Sequence, residues 1–130
     1  MGIKLNNMNA EQRKGHPVFT GVLKYFPDAI MEVAKVSLAG NAQHHPDKPL
    51  HWDRAKSTDE LDALARHLID AGKVDTDGQL HSAKVAWRAL ANLQKELESK
   101  TKEGYDPQFG TYKIQPGDAG TEGAYIINSE

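Results

Sequence analysis

Between Ser57 and Gly72 the chain carries a full set of helix signals, and this segment restricts the fold more than any other. In Ser57-Thr58-Asp59-Glu60 the serine and the glutamate stand three residues apart, the spacing of a capping box in which each side chain satisfies a free backbone N–H. Leu61, Leu64, Ala65 and Leu68 then recur along one helical face, and Gly72 supplies the C-cap. Such a stripe gains most of its stability from packing, so other helices must cover it. Two more are predicted. Asp28 follows Pro27 as an N-cap, and Ile30, Val33, Ala34 and Leu38 lead to a stop at Gly40. From about residue 79 to 98, Ala83, Ala86, Leu90, Leu93 and Leu97 share one side of a third helix.

These signals specify a mainly α protein with a three-helix core. Three stripes bury little surface, and Val85 and Trp87 make the third helix apolar outside its main stripe. We therefore expect a homo-oligomer that completes the bundle. Residues 1–14 read as a flexible N-terminus, 15–98 as the helical domain and 99–130 as an irregular C-terminal arm rich in glycine and proline. Two pieces of the arm, 111–115 and 124–127, are β-prone, and Tyr105, Phe109, Tyr112 and Tyr125 favour docking on the same or a neighbouring subunit. Residues 41–56 form a long loop, which burial of Trp52 would order with about 2 to 3 kcal/mol.

Several function classes are excluded by composition. There is no cysteine, which removes disulfides, thiolate metal sites and thiol nucleophiles. No apolar run approaches a membrane span, and the polar N-terminus lacks a signal-peptide core, so a cytoplasmic protein without a membrane partner is expected. A formal charge of -2 lacks the basic footprint of a nucleic-acid binder. No histidine precedes an aspartate, which removes the HD phosphohydrolases, and neither a P-loop nor a Gly-x-Ser-x-Gly elbow occurs. Around Asp75-Thr76-Asp77-Gly78, a calcium loop aligned on Gly78 would place Lys73 and Lys84 at ligand positions, so an EF-hand is excluded.

Two constellations can carry chemistry. His67, Asp70, Asp75, Asp77 and His81 flank one predicted turn, which can gather imidazoles and a carboxylate around a metal such as Mg2+ or Mn2+, or around an anion. The same residues can instead tie and cap the turn. On the third helix His81, Lys84, Arg88, Asn92 and Lys95 follow one another by three or four residues and line up along one side. Beside Arg66 that stripe offers charge-assisted hydrogen bonds to phosphates, and Trp52 or His51 can stack on a base; its alternative is a solvated basic face. Paired carboxylates for two-metal catalysis would need the Glu-x-x-Glu spacing. It does not occur, and the nearest substitute, Asp59-x-x-Asp62, also makes an ordinary acidic first turn.

From residue 14 to about 98 the chain resembles a family found mainly in phage genomes, the N-terminal domain of dATP/dGTP diphosphohydrolases. Gly15-His16-Pro17, Phe26-Pro27, Val33-Ala34, Gly40, His51-Trp52, Arg66-His67 and Asp75-x-Asp77-Gly78-x-x-His81 carry the resemblance. It implies an all-α, nucleotide-handling protein acting in the host cytoplasm. In larger relatives this domain precedes a separate MazG-like pyrophosphohydrolase module, so the resemblance alone does not imply catalysis. Three readings follow. The first is a binder of a nucleotide or nucleotide-derived small molecule, related to metal-dependent (d)NTP diphosphohydrolases and using Trp52, Arg66, His67, Lys84 and Arg88, with Asp75, Asp77 and His81 as turn or metal residues. The second is a non-catalytic binder that sequesters a nucleotide signal of host anti-phage defence. The third is a protein-interaction domain.

Overall fold

The computed structural model describes residues 7–99, 104–106 and 110–118. In chain order the elements are helix α1 (Ala10–Lys14), a π-helical turn (Phe19–Leu23), helices α2 (Pro27–His44), α3 (Glu60–Ile69) and α4 (His81–Ser99), and strands β1 (Tyr105–Asp106) and β2 (Thr111–Tyr112). The protein is mainly α, with four helices and one antiparallel hairpin among the described residues. Its described residues divide into two compact units, one built on residues 17–99 and the other joining 7–16 to 104–106 and 110–118. No helix among the described residues is long and apolar enough to cross a membrane.

In the larger unit α2 opens on Pro27, whose fixed φ suits the first helical position and whose missing N–H costs nothing there. Phe26 holds the cap position without a side-chain bond, so Asp28, expected as the cap, lies inside the first turn and complements the helix dipole instead. Gly40 does not end this helix. The buried side chain of Asn41 donates to the Lys48 carbonyl at 3.1 Å, and its backbone carbonyl accepts from His45 N at 2.7 Å, which carries α2 through His44.

Helix α3 also departs from expectation. It begins at Glu60 behind Asp59, and Ser57 Oγ donates to Glu60 Oε1 at 2.6 Å rather than accepting from a backbone N–H, so the capping box is absent. Glu60 is only 5% exposed, because Arg88 and Lys95 of α4 draw its carboxylate inward and away from the backbone. The helix ends at the Asp70 cap, and Gly72, with φ of 92°, lies beyond it in the following turn.

The predicted stripes are buried only in part: Ala83 is buried, and Leu64, Ala86 and Leu97 are half-buried. On α3 the buried residues are Glu60 and Ala63, whereas Leu61 and Leu68 are 60% and 56% exposed. On α4 Ala83 and Ala91 are buried, whereas Leu90 and Leu93 are 52% and 50% exposed. The physical reason is the charge network on the opposite face: Glu60 cross-links α3 to Arg88 and Lys95, and the alanines let the helices approach closely. Helix α2 meets α4 where Trp87 Nε1 donates to Ser37 Oγ at 2.6 Å. Trp52 in the long loop is half-buried rather than fully buried, with its ring edge-on to Trp87 at 5.7 Å.

In the smaller unit Asn9 and Gln12 form a true capping box for α1, each side chain accepting from the other's backbone N–H at 2.9 and 3.0 Å. The hairpin pairs Tyr105 with Tyr112 and Asp106 with Thr111. Gly110, at φ of 65°, closes it by donating to the Asp106 carbonyl at 2.7 Å, a conformation that favours glycine. Tyr105 Oη lies 3.1 Å from His16 Nε2, and that ring's Nδ1 lies 2.7 Å from the Gln12 carbonyl. Of the β-prone pieces, 111–115 supplies a two-residue strand. The piece 124–127, with Phe109 and Tyr125, lies outside the described residues.

Candidate functional site

The link between α3 and α4 is tied closely by its own backbone. Val74 and Leu80 pair as an isolated antiparallel bridge, Asp75 N donates to the Gln79 carbonyl at 2.8 Å, and Gly78 N donates to the Asp75 carbonyl at 2.9 Å. Gly78 takes φ of 82°, which a side chain would strain. Within this frame Asp75 Oδ1 accepts from Thr76 N and Asp77 Oδ1 accepts from Gln79 N, at 2.6 and 3.1 Å. Each aspartate therefore spends one oxygen on the turn and presents the other to α4.

Lys84 takes both. Its ammonium lies 2.6 Å from Asp75 Oδ2 and 2.9 Å from Asp77 Oδ2, with the side chain 17% exposed. The Lys84 hydrogen bond, with that from Thr76 N, holds Asp75 down at about 2. Asp77 is lowered for the same first reason. Burial alone would pull the Lys84 ammonium down, but its bonds to Asp75 and Asp77 outweigh this, and its pKa is raised.

Behind this ion triad stand the two histidines of the turn. His67 from α3 and His81 from α4 face each other through their Nδ1 atoms at 2.9 Å, with His81 Nε2 3.9 Å from Asp75 Oδ1. Two nitrogens at that distance share one proton, one donating and the other accepting. Burial first, and then the nearby Lys84 and His81, lower the pKa of His67 and favour its neutral form. His67, Asp75 and His81 offer ligand atoms within 4.8 Å of one another, a grouping that could hold a metal ion.

A second network runs along the α3–α4 seam. Glu60 receives Arg88 at 2.7 Å and Lys95 at 2.6 Å. Arg88 also donates to Ser57 Oγ at 3.3 Å, and Lys95 to the Arg54 carbonyl at 3.4 Å and to the Ser57 carbonyl. Burial would raise the pKa of Glu60, but the bonds from Lys95, Ser57 and Arg88 prevail and lower it. Glu60 and Lys95 thus hold the basic stripe against α3. Arg66 bonds Asp59 at 2.9 Å on the exposed side of α3.

A cleft of about 390 Å3 opens between α2, the long loop and α4. Of the residues selected from sequence, Trp52, His67, Asp77, Lys84 and Arg88 line it together. Asp75 and His81 stand behind this wall through their contacts with Lys84 and His67, and Arg66 is outside the lining. Trp52 Nε1 is buried without a hydrogen-bond partner among the described residues. Sequence reasoning missed Trp87 and Ser57 in the lining of this cleft, and Glu60 as the carboxylate that holds Arg88 beside it. Its readable trace was the four- and seven-residue spacing of Lys84, Arg88 and Lys95, which puts three cations on one face and calls for carboxylates opposite.

Neither a curated protein nor a solved structure matches this chain. The family described as dATP/dGTP diphosphohydrolase, N-terminal, matches residues 6–105, a span that holds the whole cleft and both charge networks. This chain belongs to the dATP/dGTP diphosphohydrolase N-terminal family.

Proposed function

We propose that the cleft binds a nucleotide or a nucleotide-derived small molecule, in a protein of phage origin that works in the host cytoplasm. The observation that carries this reading is the composition of the cleft wall. Two indoles meet edge-on there, and three cations, Lys56, Lys84 and Arg88, line the same cavity. Its volume of about 390 Å3 lies within the range of small-molecule sites. Phosphate oxygens would compete with Asp77 for Lys84 and with Glu60 for Arg88, while Arg66, outside the lining, acts only if the ligand extends beyond the cleft.

Hydrolysis with Mg2+ or Mn2+ is one use of such a site. The residues that could hold the ion are His67, Asp75 and His81, and two imidazoles suit Mn2+ better than Mg2+. A specific observation favours the second use, sequestration without hydrolysis. The Lys84 ammonium already bridges the carboxylates of Asp75 and Asp77, so the turn carries its own cation. Incubation with a panel of nucleotides and cyclic nucleotide signals, followed by heat denaturation and mass spectrometry, tests both uses. Recovery of unchanged ligand supports sequestration, and Mn2+-dependent release of pyrophosphate supports hydrolysis. Absence of binding across the panel would overturn the proposal in favour of a protein-interaction domain.

The exposed leucines of α3 and α4 fit a homo-oligomer. A second copy of this chain would cover Leu61, Leu68, Leu90 and Leu93, which are half-exposed or more in one chain.

A further inference from the structure

We propose that His45, His51 and Asp53 form a binding site for a divalent transition-metal ion of the zinc type, separate from the α3–α4 turn. One ligand atom from each of the three lies within 4.8 Å of the others. His45 Nε2 stands 3.7 Å from Asp53 Oδ2. Two ligands bound tetrahedrally at about 2.1 Å from one ion stand about 3.4 Å apart, so a shift of a few tenths of an ångström closes this pair on a metal.

The loop holds the donors in a binding state. His51 Nδ1 lies 3.1 Å from the Pro49 carbonyl, a contact that requires the proton on Nδ1 and leaves Nε2 with the free lone pair. Imidazole ligands of metals are oriented in this way by a partner on the second nitrogen. His45 is fixed at the end of α2, where its backbone N–H bonds Asn41 O at 2.7 Å and its side chain is 15% exposed. The buried Asn41 side chain braces the loop at two points, donating to the Lys48 carbonyl and accepting from His51 N at 3.4 Å.

Two imidazoles and one carboxylate select a first-row transition ion over Mg2+ or Ca2+. All three residues line the cleft, so a position left open on the ion is available to water or to an oxygen of a bound ligand. Lys56 approaches Asp53 Oδ2 at 3.9 Å, but its side chain is 74% exposed and can turn into solvent when a cation enters.

The test uses the untagged full chain, titrated with Zn2+ by calorimetry and with Co2+ by visible absorption. We expect one ion bound at this site, with affinity at least about ten-fold weaker in His51→Ala and in Asp53→Asn and retained in His67→Ala. His51 is exposed, so its replacement leaves the fold in place, as circular dichroism will check. No binding by the natural chain, or undiminished affinity in both His51→Ala and Asp53→Asn, would overturn the proposal. Because the readout is the metal alone, its failure is independent of whether the cleft binds a nucleotide.

Discussion

At the scale of single residues, two carboxylate clusters link folding to pH and charge. Asp75 is depressed from 3.8 to about 2 in the folded state by Lys84. A depressed carboxylate stabilises the fold above its unfolded pKa and loses that contribution as pH falls through the folded value. Asp75 should therefore contribute at most about 2 kcal/mol at neutral pH, lost between roughly pH 4 and pH 2. His67 acts earlier on the same descent. Its folded pKa is lowered, so the unfolded chain binds the proton first, and stability should begin to fall as pH drops below about 6.5. Denaturant titration at stepped pH checks both, and in Lys84→Met the step below pH 4 should shrink. Glu60→Gln leaves Arg88 and Lys95 without their shared charge, which we expect to cost about 2 kcal/mol, less than for a fully buried pair because both cations are partly exposed.

Elements were legible where a signal concerned the local backbone. Pro27 opens α2, and the positive φ of Gly72 and Gly78 lies where turns follow α3 and precede α4. Signals that a neighbour could override misled. Ser57 and Glu60 have capping-box spacing, yet Glu60 is recruited by α4 and the box fails. Gly40 has the look of a helix stop, yet it sits inside α2 because Asn41 anchors the next turn. The contrast can be measured. At Gly40 an added Cβ meets nothing within 4 Å, so Gly40→Ala should stabilise by about 0.5 to 1 kcal/mol through the unfolded chain. Gly78→Ala places a side chain at φ of 82° and should destabilise by about 1 kcal/mol or more. Equal effects in chemical denaturation would mean that the α2 boundary is misassigned.

For the whole molecule, the polarity of the helix pair is the principal finding. The basic stripe of α4, read as a solvent or ligand face, packs against α3 through Glu60 and against the turn through Asp75 and Asp77. Of the leucines read as core on α3 and α4, Leu61, Leu68, Leu90 and Leu93 are exposed, while Leu64 and Leu97 are half-buried. Sedimentation at micromolar concentration should report a dimer or larger, and Leu90→Glu with Leu93→Glu should shift it to monomer while helicity is kept. A monodisperse natural monomer would remove the second copy from the account. From the sequence alone, helical period, proline and glycine positions and the absence of cysteine determined a mainly α chain, and motifs such as Arg66-His67 and Asp75-x-Asp77-Gly78-x-x-His81 carried its family resemblance. Those signals are properties of consecutive residues, so they survive without a partner in space. Which face of each helix turns inward, that Lys84 takes the cation place between two aspartates, and that His45, His51 and Asp53 converge were decided only in the tertiary structure. Each depends on residues far apart along the chain, and a buried charge can choose its face only when its counter-charge has been brought within hydrogen-bond distance.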